Sequence, residues 1–478
     1  MGMGKLSRRG VLRAFGMASG AAVLAACGDT PVETKIEIKE VPVERIVEVI
    51  KEVPVEVQVE VEKIVEVAPQ VRAAEITFWM QQWDDGVAAF QGAIDSFQAE
   101  NPHYTVEMVP IGYGDLFAKF YPSITTETSG DVVYSYSDWW YPIDVTKVLH
   151  PMTPTLRSRA EFKGIFFQAA LDTVTSLDGE FYTVPLICGM GGPICLIDAD
   201  RAADVGINVD TMTETWDDLE TAFQIATERD GDRMVTGGVE ISWGRLGMWV
   251  NAMIQQLGAQ YYSTDSELFD WNTSEAAASV QFITDVIRNY GSRELSADAD
   301  GNALAKGTHL TEINGIWKVS SYGNAFPDLN LVPKPMPAFP GAESLVYESD
   351  PVATITIPKF VQGDKLEAAR AFMIHLWQPE NLAAFGNFYS GSHSVKSVYD
   401  LEAYTSSPWG RIGSPFIPTE VWPYISFPPH HVAALPAEWA SPLEKVTFDG
   451  MAVDDATFDM QDRTSLLNKE ALDRFKAG

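Results

Sequence analysis

The sequence predicts an α/β fold, and three observations carry that expectation. From Glu75 onward, apolar stretches of strand character alternate with amphipathic helical stretches. The first connection is strand, helix, strand with a short crossover, which is the unit of a parallel sheet. The chain's 478 residues exceed one ordinary domain, so two to three bodies are expected.

The elements follow in order. "EITFWM" reads as a strand, "GVAAFQGAIDSFQAEN" as an amphipathic helix and "YTVEMVPI" as a second strand. Ala89, Ile94 and Phe97 mark the helix's buried stripe, and Pro102 closes the connection. "GDLFAKFYPSITTE" is the next helix. The stretch "DVVYSYSDWW", Asp131 to Trp140, then enters from Gly130 as a buried strand and ends in Asp138, Trp139 and Trp140, where a loop should begin. Two tryptophans beside a carboxylate at a strand end suit a molecule with both apolar faces and hydroxyls. The alternation continues through "TWDDLETAFQIATE" and "SEAAASVQFITDVIRNY".

Residues 1–27 read as an address. Lys5, Arg8, Arg9 and Arg13 supply a positive end, and small apolar residues follow from Ala14 to Ala26. Ser7 to Arg13 resembles a twin-arginine export signal centred on Arg8 and Arg9. Leu24-Ala25-Ala26-Cys27 resembles a lipobox, where cleavage leaves Cys27 to carry lipid. The mature protein is therefore expected on the extracytoplasmic face of the cell membrane, held by its N-terminus. Residues 28–74 form a spacer rich in Val and Glu. Pro42 and Pro54 oppose regular structure within it, and "EVPVE" occurs from Glu40 and again from Glu52. Fully extended, some 40 residues of it reach on the order of 130 Å. A β-rich oligomerisation segment is the other reading. The formal net charge of −32 argues against nucleic acid as a partner.

Six segments, in order, resemble the family 1 extracellular solute-binding proteins, the maltose-binding-protein-like family. They are "EITFW", "SGDVVYSYSDWW", "LDGEFYTVPL", "TWDDLETA", "TEINGIWKVSSY" and "LEAARAFMIHLWQPENLAAF". In "TWDDLETA", Thr215 is expected to cap the helix and Asp218 to complete a capping box. The resemblance implies a two-lobe periplasmic-binding-protein-like fold with a hinge and an interlobe ligand cleft. Lobe one would span 75–187 and 336–392, and lobe two 190–335 and 395–478. It implies a monomer that gives its ligand to the permease subunits of an ABC transporter.

A sugar ring has C–H faces that pack on flat aromatics and a rim of hydroxyls that needs fixed hydrogen-bonding groups. Trp combined with Asp, Gln and His suits a mono- or oligosaccharide better than an ion or amino acid. By the resemblance, Asp138 meets sugar hydroxyls; the alternative is an N-cap for the following helix. At least one of Trp139 and Trp140 should face the cleft. Trp83 follows the first strand at a ligand-contact position, with Gln82 beside it. Trp317 is a stacking residue of the second lobe. Trp243 and Trp249 in "ISWGRLGMW" line the cleft, unless Trp249 serves the core, and His393 lies near a crossing segment. Trp79, Trp271 and Trp377 fall within strand or helix patterns and are assigned to the core. "CGMGGPIC" at the first crossing offers glycines for bending, and Cys188 and Cys195 are close enough in sequence for a disulfide in an oxidising compartment.

No catalytic, nucleotide-binding or metal-binding motif stands out, so no cofactor, metal or catalytic residue is expected. His430 and His431 are adjacent, a poor spacing for joint ligation. Three other readings stay open. One is a binding protein for a non-sugar such as a polyamine or a glycerol phosphate ester, with Arg245 near enough to meet phosphate. Another is a secreted glycoside hydrolase using paired carboxylates such as Asp84 and Asp85. The third is a purely structural surface lipoprotein.

Overall fold

The computed structural model describes residues 72–140, 144–153, 155–176, 178–187, 194–241, 246–263, 268–291, 302–343, 347–348, 353–385, 393–406, 424–425 and 439–476. The export signal with Arg8 and Arg9, Cys27, and the spacer up to residue 71 lie outside the described residues. Ten strands build two sheets: β1 Ala74–Gln81, β2 Tyr104–Ile111, β3 Val132–Tyr136, β4 Val184–Ile187, β5 Ile194–Asp198, β6 Glu228–Asp230, β7 Arg233–Ile241, β8 His309–Asn314, β9 Leu331–Lys334 and β10 Ala353–Thr356. The first sheet has the order β2-β1-β3-β10-β4, and the second β9-β5-β8-β7-β6. β1 runs parallel to both β2 and β3, whereas β10 runs antiparallel to β3 and β4. In the second sheet β7 and β8 are parallel, and β5 is antiparallel to β8. The chain thus completes most of one sheet, builds the other, and returns through β10 to the first.

Each sheet has its own core. In the first, Phe78 of β1 meets Phe90 of the helix Asp84–Glu100 and Phe372 of the helix Gly363–Leu376, at ring distances of 5.3 and 5.4 Å. The buried stripe of the first helix is Phe90, Ala93, Ile94 and Phe97; Ala89 lies partly exposed beside it. In the second core, Trp216 packs on Phe282 and Phe339, and Trp271 stacks on Tyr261 at 4.6 Å. Trp271 also pins the C-terminal helix Val453–Lys476, giving its indole N–H to Thr464 at 2.8 Å and its backbone N–H to Gln461 at 2.6 Å. Trp271 and Trp377 are core residues, as their periodicity suggested, and Trp79 packs against the first core. Thr215 caps the helix Trp216–Ala226 by accepting the N–H of Asp218. The return bond to the Asp218 carboxylate comes from the Thr215 hydroxyl.

Two segments pack with the other core from the one expected. Met336 and Phe339, placed with lobe one by the family pattern, are buried in the second core. Val395, Val398 and Tyr404, placed with lobe two, are buried in the first. Ser394 fixes that return by donating to the carbonyls of Pro185 and Leu186 at 2.7 and 3.0 Å. The physical reason lies in the partners: Phe339 fills the gap beside Trp216 and Trp249, and Tyr404 stacks edge-on to Tyr399.

One carboxylate ties the first sheet together. Asp131, buried just before β3, accepts the backbone N–H of Thr77 at 2.9 Å, the Thr77 hydroxyl at 3.2 Å and the Lys365 ammonium at 3.0 Å. Its own N–H goes back to the Thr77 hydroxyl at 3.1 Å. Asp131→Ala should cost about 1–2 kcal/mol, because it leaves the part-buried Thr77 N–H without its acceptor, whereas the half-exposed Lys365 ammonium can turn to water; urea unfolding at neutral pH measures this.

Candidate functional site

Because β1, β2 and β3 run parallel, their C-terminal ends reach one edge of the first sheet. Gln82 and Trp83 follow β1, Tyr113 follows β2, and the 3-10 turn Ser137–Trp140 follows β3. In open α/β sheets this edge is where ligands are met. The edges are held close: the N–H of Gln82 still donates to Ile111 at 2.7 Å, past the end of β1, and the Tyr136 hydroxyl donates to Gln81 at 2.8 Å. In the second sheet, β8 ends at Asn314 and delivers Trp317 at the head of the helix Trp317–Ala325. Half-buried Trp317 packs against hydrophobic residues of the first core. Trp83 and Trp317 are thus half-buried rings at strand ends of different sheets.

Both rings rest on glycines. A methyl group at position 86 would stand 2.9 Å from the indole of Trp83. At position 315 it would stand 1.5 Å from Cζ3 of Trp317. Neither separation is tolerable for carbon, so each ring lies where only a glycine leaves room. Trp83 also meets Tyr134 edge to face at 5.6 Å. Gly315→Ala should push the Trp317 ring out of its seat. The indole N–H resonance of Trp317, assigned by its loss in Trp317→Phe, should move in Gly315→Ala while the fold is retained; an unmoved resonance would contradict the seat.

Several expected contacts lie elsewhere. Trp139 and Trp140 are 1% and 4% exposed, so neither ring stands open at the strand end. The tight turn after β3 folds both indoles down onto Phe120 of the helix Tyr113–Thr125, at 5.4 and 4.4 Å. Burial of that much ring surface outweighs presentation to solvent. Trp249 is fully buried in the second core between Trp216 and Phe339. His393 is fully buried beside Tyr399 and Tyr404, and burial pushes its imidazole down to about 3, so the ring is neutral. Asp138 sits in the turn, but its side chain lies outside the described residues, as do those of Asp84 and Asp85. Trp243, Arg245, Cys188, the crossing glycines and the His430-His431 pair also lie outside them. Cys195 is a buried free thiol on β5.

What the sequence reading missed is a row of aromatic rings. Trp83, Tyr134, Tyr136, Tyr113, Trp139 and Phe117 follow one another with centroid steps of 5.6, 5.6, 6.0, 5.7 and 5.2 Å. Tyr113 and Phe117 are 54% and 42% exposed, so the row has an open end. The i, i+4 spacing of Tyr113 and Phe117 was the available signal.

Behind Trp317 lies a buried acidic pair. Glu240 of β7 and Glu312 of β8 are register partners, 6% and 2% exposed. Glu312 accepts from Asn314 at 2.7 Å and from Tyr322 at 2.5 Å, and Lys318 lies 3.7 Å away. Burial first, and the Glu312 carboxylate second, push the Glu240 carboxyl up to about 7; Lys318, the Ala303 N–H and Lys306 oppose this. A carboxyl raised in the fold stabilises it below the unfolded value of 4.5, and that contribution is lost as pH rises through about 7. Glu240→Gln should remove this dependence. The melting temperature of wild type minus that of Glu240→Gln should fall between pH 5 and pH 8, and a flat difference would remove Glu240 from the account.

Two mixed sheets, each with its own core, give the chain the two-lobe α/β fold of the periplasmic-type binding proteins among the solved structures. The family model described as bacterial extracellular solute-binding protein matches residues 92–409, and the chain belongs to that family. A lactose-binding protein of Rhizobium radiobacter is 23% identical over 253 residues, covering 51% of this chain and 57% of that protein. The chain therefore matches less than two thirds of that relative's length. Among solved structures, the maltose/maltodextrin-binding domain MalE of Bdellovibrio bacteriovorus bound to maltotriose has a TM-score of 0.66 at 16% identity, covering 84% of this chain and 100% of that one. The GacH receptor of Streptomyces glaucescens, solved unliganded and with acarbose, has a TM-score of 0.68 at 18% identity, covering 83% and 99%. At these identities the likeness is one of fold. No helix among the described residues is long and apolar enough to cross a membrane.

Proposed function

We propose that the chain is the substrate-binding lipoprotein of an ABC importer, that it captures a carbohydrate outside the cytoplasmic membrane, and that it does so without chemical conversion. The aromatic edge of the first sheet carries this reading. Half-buried Trp83 and Trp317 offer flat apolar surface, and exposed Gln82 stands beside Trp83 to meet hydroxyls. The named ligands of relatives point the same way: lactose for the curated protein, maltotriose and acarbose for the solved ones. Arg8, Arg9 and Cys27 supply export and lipid attachment in this scheme, and the spacer carries the binding body clear of the membrane.

The cycle follows from the arrangement. A sugar face packs on rings of the first lobe, the lobes close about their crossing segments, and Trp317 covers the ligand from the second. Ligand acts by stabilising the closed form, which is the form delivered to the permease. A ligand that binds only the folded state raises its melting temperature by mass action. A thermal-shift panel of saccharides, amino acids, polyamines and glycerol phosphodiesters on the full chain tests the reading. A rise with one saccharide class, recovered unchanged after incubation, is the expected outcome. A rise confined to polyamines or phosphodiesters, or turnover of the sugar, would replace it.

A further inference from the structure

The seat of Trp317 is tied to one buried carboxylate from two sides. Oε1 of Glu312, on β8, accepts the side-chain N–H of Asn314 at 2.7 Å, and Oδ1 of Asn314 accepts the N–H of Gly315 at 2.8 Å. Gly315 is the residue on which the Trp317 ring rests. Oε2 of Glu312 accepts the Tyr322 hydroxyl at 2.5 Å, and Tyr322 belongs to the helix that Trp317 begins. Lys318, next to Trp317, stands 3.7 Å from Oε1 of Glu312 and 5.3 Å from the centre of the Tyr322 ring. The glycine beneath the ring and the helix that carries it are therefore both bonded to Glu312.

A second carboxylate sets the charge beside this mount. Glu240 is the register partner of Glu312 on β7, and its Oε2 is buried with no hydrogen-bond partner among the described residues. Ionising such a group is costly, and a like charge beside it adds to the cost. The groups that act on Glu240 are Glu312 of β8, Lys318 of the helix, and Lys306 and the Ala303 N–H from the turn before β8. β5 brings apolar Ile194 and Leu196 to this face. On the helices Trp216–Ala226 and Ser274–Tyr290, which also pack on β7, Asp217, Asp218 and Asp285 are exposed and Glu220 is bonded to Tyr290. Burial and Glu312 hold the Tyr322 hydroxyl well above its ordinary range, so it remains a donor. We propose, resting on the reading of Trp317 as a ligand contact, that Glu312 and Glu240 are positioning residues for that ring, and that ligand is held more tightly while Glu240 carries its proton. With the proton in place, Lys318 faces one charge and the mount stays intact. Its loss sets two carboxylates against each other, and the repulsion falls on the Asn314–Gly315 and Tyr322 bonds. The seated state is favoured below the ordinary carboxyl value of 4.5 and loses that advantage as pH rises through about 7.

Two measurements on the full chain test this. The indole N–H resonance of Trp317, assigned through Trp317→Phe, should move as pH is raised from 5 to 8.5, with a midpoint near 7. It should stay in place in Glu240→Gln. In Glu312→Gln, which removes the neighbouring charge, the midpoint should fall. Melting temperatures certify the fold of each variant, and if one does not fold the other decides. Calorimetric titration with maltotriose and lactose reads the ligand. Affinity should be about three- to tenfold weaker at pH 8 than at pH 6, tenfold being the limit for a carboxyl that returns to its ordinary value when the ring is unseated. Glu240→Gln should bind equally at both. A Trp317 resonance that ignores pH, or that moves alike in the wild type and both variants, would overturn the proposal, as would a sugar bound equally by the wild type at pH 6 and pH 8. Absence of binding by either sugar counts against the carbohydrate reading, while the resonance alone still decides the positioning role.

Discussion

The register of β1 against β3 is the constraint on which the candidate site depends, and the Asp131 carboxylate sets it. Asp131 holds the N–H and hydroxyl of Thr77, in the middle of β1, against the start of β3, and it reaches Lys365 on the helix that covers the sheet. A slip of one residue would turn every side chain of a strand to the other face. With the register held, Phe78 stays on Phe90 and Phe372, and the strands end where Trp83 and the Ser137–Trp140 turn begin. The β1–β2 ladder, which continues one residue past the strand, brings Tyr113 to the same edge. The polar clamp at the start of β3 and the aromatic row at its end are therefore two ends of one arrangement.

Much of this fold was legible from residue pattern. The strands at Glu75, Tyr104 and Val132, and the helices at Trp216 and Ser274, follow from alternation, periodicity and the Thr215 cap. The orientation of the aromatics was not. The helix Tyr113–Thr125 carries two apolar stripes, Tyr113-Phe117-Tyr121 and Leu116-Phe120-Ile124, one residue out of step. Spacing alone does not say which one faces the sheet. The structure buries the second, and Trp139 and Trp140 then pack on Phe120 instead of projecting from the strand end. The tryptophans that drew notice in the sequence are the support, and the tyrosine and phenylalanine that did not are the surface.

The glycines repeat the lesson. The sequence directed attention to the run between Cys188 and Cys195, where chain crossing suggested bending. At the candidate site the glycines with a steric role are Gly86 and Gly315, each beneath a tryptophan two or three residues away. Their signal was local, Trp-x-x-Gly in one lobe and Gly-x-Trp in the other, and it becomes meaningful only once the rings are seen folded back over the backbone. The lobe boundaries were blurred for a related reason: Phe339 and Tyr404 are assigned by the rings that surround them, not by their place along the chain.

The second lobe joins its half-buried strand-end ring to an electrostatic device in its core. Trp317 and Lys318 are the first two residues of one helix, and Tyr322 is one turn on. Lys318 and Tyr322 both reach the Glu312 carboxylate, which lies in register with Glu240. When Glu240 is neutral, Lys318 faces a single buried negative charge. When it ionises, two carboxylates share one low-dielectric site, and their repulsion is borne by the same turn of helix that positions Trp317. A ring that packs against the first core is thus mounted on a segment whose energy depends on one proton. The contact between the lobes and the charge of the second core are linked through the first turns of one helix, from Trp317 to Tyr322.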